Sequence, residues 1–336
     1  MRIGVIGPLG PDKFAANIVD AVRDAGHVAV PLGPLGPLQA KHRPTMPKGL
    51  AALAALAALT AQALPRLEQQ AQDRVVRAAA QAECEIVINV DGRLTPESVS
   101  ALRRDGTRVA LWFPDSILNL GRALMILAPY DALFFHEPHL VDRLRATLDL
   151  PVHYLPQGCN PRHHRPLVPA GTEPHLVIAG NMYPSRIRLL ERLAAKGIPV
   201  RVYGSKIPRW VGESPVRRMH AGRAVFTQEK ARIFRSAAGV LNNLHPAEVE
   251  GVNMRLFEAA GCGAAVLSEF RPAIPALFAD GQEVLTFRDF DELVAGATRL
   301  LTEPGLTRAL GDAAARRAHR EHTIGHRLAT IVETIA

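Results

Sequence analysis

The chain is short of several things, and each shortage removes a class of protein. Its 336 residues include three cysteines, Cys84, Cys159 and Cys262. They lie far apart, so they supply neither a disulfide scaffold nor a Cys-x-x-Cys zinc site, and a reducing cytoplasmic setting is expected. Aromatic residues are 5% of the chain, too few for the stacking platforms of a single-strand nucleic-acid binder. No run of about 18 apolar residues escapes a charge or a helix breaker. The alanine- and leucine-rich stretch 50–64 is too short to span a bilayer. The opening MRIGVIGPLG lacks the charged, apolar, then small layout of a secretory signal. Neither a P-loop nor a Gly-x-Ser-x-Gly elbow occurs. Lysine is scarce as well: there are six, against 34 arginines.

What is present points to an ordinary globular chain. Hydrophobic residues make up 48% and charged residues 21%, enough apolar material for two cores. The length suits two domains of roughly 150 residues each. The net charge of +8 favours an anionic partner. Arginine recognises phosphate or carboxylate with a two-pronged planar fork. A nucleotide fits this, and so does an acidic membrane surface touched peripherally. A nucleic-acid partner is not expected, because no compact basic motif accompanies the charge.

Short apolar runs alternate with segments of helical period. Strand candidates are 2–6, 27–31, 85–90, 108–113, 132–135 and 152–155, with helices between them at 12–25, 49–83, 96–104 and 137–147. The 49–83 helix is expected to break at Pro65. A Pro- and Gly-rich stretch at 156–174 interrupts the pattern. Strands then resume at 175–179, 199–203, 238–241, 264–268 and 283–287, with helices at 184–196, 228–236, 252–260, 290–302, 305–319 and 323–335. Such alternation predicts an α/β fold of two doubly wound, Rossmann-like parallel sheets, with ligands beyond the carboxyl ends of the strands in a cleft. The domains are read as 1–160, 161–320 and a C-terminal helix, 321–336, that returns to the first domain.

The first loop, Gly4-Val-Ile-Gly7-Pro-Leu-Gly10, spaces its glycines three apart and is not a Gly-x-Gly-x-x-Gly fingerprint. Gly7 and Gly10 permit a tight strand-to-helix turn; whether they also touch a ligand stays open. The richest stretch is 248–269, EVEGVNMRLFEAAGCGAAVLSE. Glu250 and Glu258 are separated by seven residues, and a helix starts between them. Its free N–H groups and partial positive charge suit a diphosphate. Arg255 in the first turn adds a charge-assisted contact, and Glu258 one turn on can accept from both ribose hydroxyls. The other reading makes Glu250 a cap and Arg255–Glu258 a surface pair.

This segment resembles the Glu-x7-Glu motif of GT-B glycosyltransferases of the retaining group 1, family 4 type. The form VNMRLFEAAGCGAAVLSE looks more specifically like the CgeB-like, spore-maturation branch. Tyr130–Phe135, PVHYLPQGCNPRHHRP at 151–166 and EHTIGHR at 321–327 resemble other stretches of that branch. The resemblance covers about 125–335 and is weaker before it. It implies a glycosyltransferase, a retaining one that needs no metal or other cofactor, with a nucleotide-sugar, UDP-linked for preference, as donor. The acceptor would be a small molecule, a glycan or a protein.

By that resemblance Glu258 binds the donor ribose and Glu250 the donor sugar. Asn253, Met254 and Arg255 sit by the diphosphate. Gly180 lets the donor approach closely and Arg186 pairs with phosphate; a helix-entry turn and a solvated arginine are the plain readings. Tyr203 and Gly204 lie near the nucleobase or form an ordinary turn. Asp115, in LWFPDS, is the catalytic candidate of the first domain, with an N-cap as its alternative. His136 and Glu137 are further candidates, His136 on the acceptor side with Gly7 and Gly10. Asp289-Phe-Asp291 mimics a metal-binding Asp-x-Asp but sits where a helix cap belongs, and His163-His164 and His136-x-x-His139 do not form a convincing metal site. The alternative to an enzyme is a non-catalytic protein that binds a nucleotide-sugar or glycan.

Overall fold

A computed structural model describes residues 1–35, 65–116, 124–168, 171 and 173–336. The alanine–leucine tract at 50–64 lies outside the described residues. The chain divides into two compact units. One comprises Met1–His136, Leu140–Leu155 and Leu328–Ala336; the other comprises Glu137–His139 and Pro156–Arg327.

The first unit is built on six parallel strands: β1 (Arg2–Ile6), β2 (Val28–Gly33), β3 (Ile86–Asn89), β4 (Arg108–Phe113), β5 (Ala132–Phe135) and β6 (Val152–Tyr154). Their order across the sheet is β2-β1-β3-β4-β5-β6. The central strands are apolar over most of their length, with polar residues only at their ends, because helices cover both faces. On one face Ile6, Val87, Val109, Leu111, Leu133 and Phe135 join a single core. On β4 the alternate residue Trp112 is fully buried and meets Phe14 edge-on at 4.5 Å. Pro31 is tolerated in β2 because, among the described residues, β2 stands at the sheet edge and pairs with β1 alone. Helix Pro96–Arg103 begins with Thr95 accepting from the Ser98 N–H at 3.2 Å and Pro96 at the first helical position.

The second unit holds five parallel strands: β7 (Glu173–Gly180), β8 (Val200–Gly204), β9 (Ala237–Asn242), β10 (Val266–Glu269) and β11 (Leu285–Phe287). Their order is β11-β10-β9-β7-β8. Side-chain alternation sorts its two cores. Val177, Ala179, Val240 and Val266 face one, with Leu256 and Phe257 from helix Met254–Gly261. Leu176, Ile178, Leu241 and Leu267 face the other, with Leu190 and Leu293. In both sheets the first strand has the second on one side and the third on the other. Each therefore has a switch point, between β1 and β3 and between β7 and β9, where two crossovers diverge and leave a crevice.

Two short helices, Val216–Met219 and Ile274–Leu277, were not foreseen, since four residues are too few to show a helical period. Asp289 caps helix Phe290–Thr302 by accepting from the Glu292 N–H at 2.8 Å. Among the described residues no helix is long and apolar enough to cross a membrane. None of their His, Cys, Asp and Glu side chains gather in a group of three suited to a metal ion.

Candidate functional site at the second switch point

The carboxyl ends of β7, β8 and β9 converge on a set of polar groups in the second unit. Gly180 ends β7 and stands in register with Gly204 at the end of β8. A Cβ on Gly204 would fall 1.9 Å from the Gly180 carbonyl oxygen, so the strands can approach this closely only with glycine there. A Cβ on Gly180 would lie 2.8 Å from the Arg186 guanidinium.

Arg186, in the first turn of helix Pro184–Ala195, is buried. Its Nε donates to Asn243 Oδ1 at 2.8 Å, Nη1 to the Asn181 carbonyl at 2.7 Å, and Nη2 to the Tyr183 hydroxyl at 2.7 Å and the Asn243 carbonyl at 3.0 Å. The guanidinium also lies 4.3 Å from the centre of the Tyr183 ring. None of these partners is a carboxylate. Burial pushes the Arg186 pKa down and the positive charge of Arg255 pushes the same way, outweighing Tyr183 and the more weakly felt Glu248 carboxylate, which push it up. A buried cation hydrogen-bonded only to neutral oxygens is costly to keep charged, and an anion brought up to it relieves that cost.

Helix Met254–Gly261 supplies the second half of the site. Asn253 occupies the N-cap position with extended backbone but makes no side-chain capping bond. Its buried Oδ1 and the buried Nε of Arg255 have no hydrogen-bond partner among the described residues. Two orphaned polar atoms thus flank an uncapped helix N-terminus, where free N–H groups carry partial positive charge.

Glu258, one turn further on, is buried. Its Oε1 accepts from Lys230 Nζ at 2.6 Å, and its Oε2 accepts from Arg255 Nη1. His164 Nε2 lies 3.5 Å from Oε1, and His164 Nδ1 accepts from the Asn160 N–H at 3.0 Å, so the ring proton sits on Nε2 and faces the carboxylate. Burial alone would raise the Glu258 pKa; Arg255, Lys230 and His164 outweigh it and hold the group at about 2. The carboxylate is therefore ionised at any physiological pH, and it fixes Arg255 at the helix N-terminus.

The loop before the helix is gripped from outside. Three successive N–H groups, those of Val249, Glu250 and Gly251, donate to the Glu137 carboxylate at 3.1, 2.8 and 3.1 Å. Convergent N–H groups of this kind form an anion-binding nest. The Glu250 carbonyl accepts from the Ala273 N–H at 3.1 Å, so its peptide is held on both sides. Farther along the strand ends, a cavity of about 300 Å³ is lined by Asn243, Leu244, Glu269, Phe287 and Phe290.

The sequence candidates are distributed as follows. Gly180, Arg186, Gly204, Glu250, Asn253, Met254, Arg255 and Glu258 all lie in the second unit, at or beside the carboxyl ends of its strands. Tyr203 is buried in the core, with the Arg223 guanidinium 5.9 Å from its ring centre. Gly7, Gly10, Asp115 and His136 belong to the first unit. Gly7 donates its N–H to the Gly33 carbonyl at 2.9 Å, and the Gly10 carbonyl accepts from Lys13 at 3.0 Å in the turn that opens the first helix. Asp115 is exposed just past β4 and accepts from the Ser116 N–H at 2.8 Å. His136 is buried at the end of β5. Lys230, Asn243 and His164 were missed. Lys230 left one trace, a lysine on the buried face of helix Thr227–Ser236 with Ala231 and Phe234. Asn243 left none, and His164 showed only as half of the His163-His164 pair, because their partners are distant in sequence.

Residues 186–333 match the profile of a family described as glycosyl transferase-like, a stretch shorter than half the chain. Curated proteins yield no sequence match. Solved structures do. AviGT4, a glycosyltransferase involved in avilamycin A biosynthesis, superposes with a TM-score of 0.66 at 16% identity, covering 100% of this chain and 97% of its own. HepE of Anabaena, solved in complex with UDP, gives 0.65 at 13% identity over 100% and 99%. Sucrose-phosphate synthase from Thermosynechococcus elongatus gives 0.61 at 13% identity, again over 100% and 99%. At these identities the likeness establishes architecture: two Rossmann-like units, each a parallel sheet flanked by helices, in the GT-B glycosyltransferase fold.

Proposed function

We propose that the chain is a glycosyltransferase that moves a sugar from a nucleoside diphosphate sugar to an acceptor. One observation carries the reading. The switch point of the second sheet joins a buried arginine, whose hydrogen-bond partners among the described residues are all neutral, to an uncapped helix N-terminus flanked by orphaned polar atoms. That combination fits a diphosphate. Arg186, Arg255 and the free N–H groups of Met254–Gly261 would bind its oxygens. The same groups would take up the negative charge that grows on the diphosphate as the sugar leaves. The glycosyl transferase-like profile over 186–333 spans this site and supports the reading.

The finer assignments belong to the same proposal. UDP is the favoured nucleotide, a choice supported by the same fold carrying UDP in HepE. Glu250, fixed by its backbone, faces the sugar; Glu258 orders the ribose side and holds Arg255. Gly180 and Gly204 admit the donor to the strand ends. Gly7, Gly10, His136 and Asp115 serve the acceptor side. Transfer proceeds with retention, and the departing diphosphate itself can take the acceptor proton, so no strong base is required. Membership of the CgeB-like branch, which the motif at 252–269 resembles, is part of this proposal. Divalent ions are dispensable; a chelator that abolishes turnover, with manganese restoring it, would contradict this. The test of function is release of nucleoside diphosphate from UDP-sugars with acceptor pools. Donor binding without release under all acceptor conditions would favour the non-catalytic alternative.

A further inference from the structure

A different part of the second unit carries an inference that does not depend on the donor site. After Gly204 the chain leaves β8, an edge strand, and returns to it. The return is marked by the Gly204 N–H to the Arg223 carbonyl at 3.1 Å and by the Ala221 N–H to the Val202 carbonyl at 2.8 Å. His220 Nε2 pairs with the Ser205 carbonyl at 2.9 Å and closes the neck of the loop. Ser214 Oγ donates to Glu191 at 2.9 Å, and the buried Val216 pins the body. The excursion is thus a built surface feature with its own anchors.

What it displays is unusual for this chain. Trp210, on the short turn Arg209–Val211, is 62% exposed, whereas the other tryptophan, Trp112, is fully buried. Around it the segment 205–223 carries Lys206, Arg209, Arg217, Arg218 and Arg223 against one acid, Glu213. That is five positive charges less one negative, or +4, half of the net +8 of the whole chain. Lys206, Arg209, Arg217 and Arg218 are exposed. Among the described residues only one of the five, Arg223, is in an ion pair, with Glu229 at 2.5 Å. Phe226, just beyond, is 42% exposed.

An exposed indole with an apolar body and one polar N–H is at home at the headgroup level of a bilayer. Clustered arginine and lysine are drawn to anionic lipid, by about 1 kcal/mol per residue near the surface. Single-stranded nucleic acid would call for several aromatic platforms along a groove; this loop offers one. We propose that the 205–223 excursion is a docking surface for an anionic lipid bilayer, with Trp210 entering the interface and Arg209, Arg217 and Arg218 meeting the headgroups.

The experiment uses the full chain and vesicles of phosphatidylcholine with or without about 30% phosphatidylglycerol. Expected results are co-sedimentation with the anionic vesicles only, weakening as salt rises, and a blue shift of tryptophan emission. Because Trp112 is already buried, the shift reports Trp210 and should vanish in Trp210→Phe. The triple variant Arg209→Glu, Arg217→Glu, Arg218→Glu should bind anionic vesicles about 100-fold more weakly. Melting temperature and UDP affinity, read on the same samples, show whether each variant is folded. The proposal is overturned if wild type fails to sediment with anionic vesicles, or if folded variants bind them as wild type does. It is equally overturned if a single-stranded oligonucleotide competes the vesicles off through the same residues.

Discussion

The two switch points make an informative pair. Both sheets place their first strand between the second and the third, and both end that first strand on a glycine, Gly7 after β1 and Gly180 at the end of β7. At the first, a Cβ on Gly7 would meet the Val90 side chain at 2.4 Å and Ala15 at 2.9 Å, an apolar wall. Arg93, three residues beyond Val90, is neutralised by Asp91. At the second, the same backbone position abuts the guanidinium of Arg186, whose partners are neutral oxygens. One topology thus supports an apolar turn in one unit and an anion site in the other. Topology places the crevice, and a handful of side chains decide its chemistry.

Replacing Arg186 should break this contrast most severely. Arg186→Met removes the buried cation and keeps much of its volume. Nucleoside diphosphate affinity should fall by about 100-fold or more, on the order of 3 kcal/mol. Calorimetry measures it, with a melting curve to show the fold. Arg186→Lys should recover only part, since one ammonium cannot reach all four acceptors.

The glycines sharpen the comparison at a smaller scale. Gly204→Ala drives a methyl into the Gly180 carbonyl and should weaken nucleotide binding and lower the melting temperature together. Gly7→Ala meets flexible Val90 and should lower stability by about 1–3 kcal/mol while leaving nucleotide affinity intact. Equal loss of affinity in both variants would erase the distinction between the switch points.

Glu137→Gln tests the nest. Val249 donates to one carboxylate oxygen and Glu250 and Gly251 to the other. The amide keeps one acceptor oxygen, so at least one of the three bonds is lost and the rest lose their charge assistance, worth about 1–3 kcal/mol in all. Turnover should fall about tenfold, with UDP affinity nearly unchanged, if the Val249–Gly251 loop positions the sugar and not the nucleotide.

Stability should also depend on pH. His322 is buried against Phe257 and Phe278, donates Nε2–H to the Leu277 carbonyl at 2.7 Å and accepts from Arg327 on Nδ1 at 2.9 Å. Burial lowers its pKa to about 4, with Arg327 and Arg317 pushing the same way against the Leu277 bond. The fold therefore favours the neutral ring. Its contribution is complete above the unfolded value of about 6.5 and is lost as pH falls toward the folded value. Glu258 contributes a second, lower window, complete above about 4.3 and lost as pH falls toward its folded value. The melting temperature should be flat near neutrality and decline below about pH 6.5, and His322→Gln should flatten the upper part of that decline.

Much of the fold was legible because buried parallel strands are continuous apolar runs, such as IVIN in β3 and ALFF in β5, and the helices between them keep their period. The four-residue helices were not, because they complete barely one turn. The part of the site that lies on one stretch of chain could be read as well: Glu250, Asn253, Arg255 and Glu258 share a loop and a helix start. Lys230, His164 and Asn243 could not, since each acts on a residue 28 to 94 positions away. The charge excess had no address in the sequence. Half of it now has one, on a single surface loop.

The central claim is that the second switch point binds a diphosphate. Calorimetric titration of UDP into wild type, Arg186→Met and Arg255→Ala tests it most directly, with uridine and inorganic pyrophosphate as partial ligands. The account predicts that UDP binds wild type, that pyrophosphate competes with it, that uridine alone binds far more weakly, and that both variants lose most of the affinity. Equal affinity of UDP for wild type and for both folded variants would contradict it.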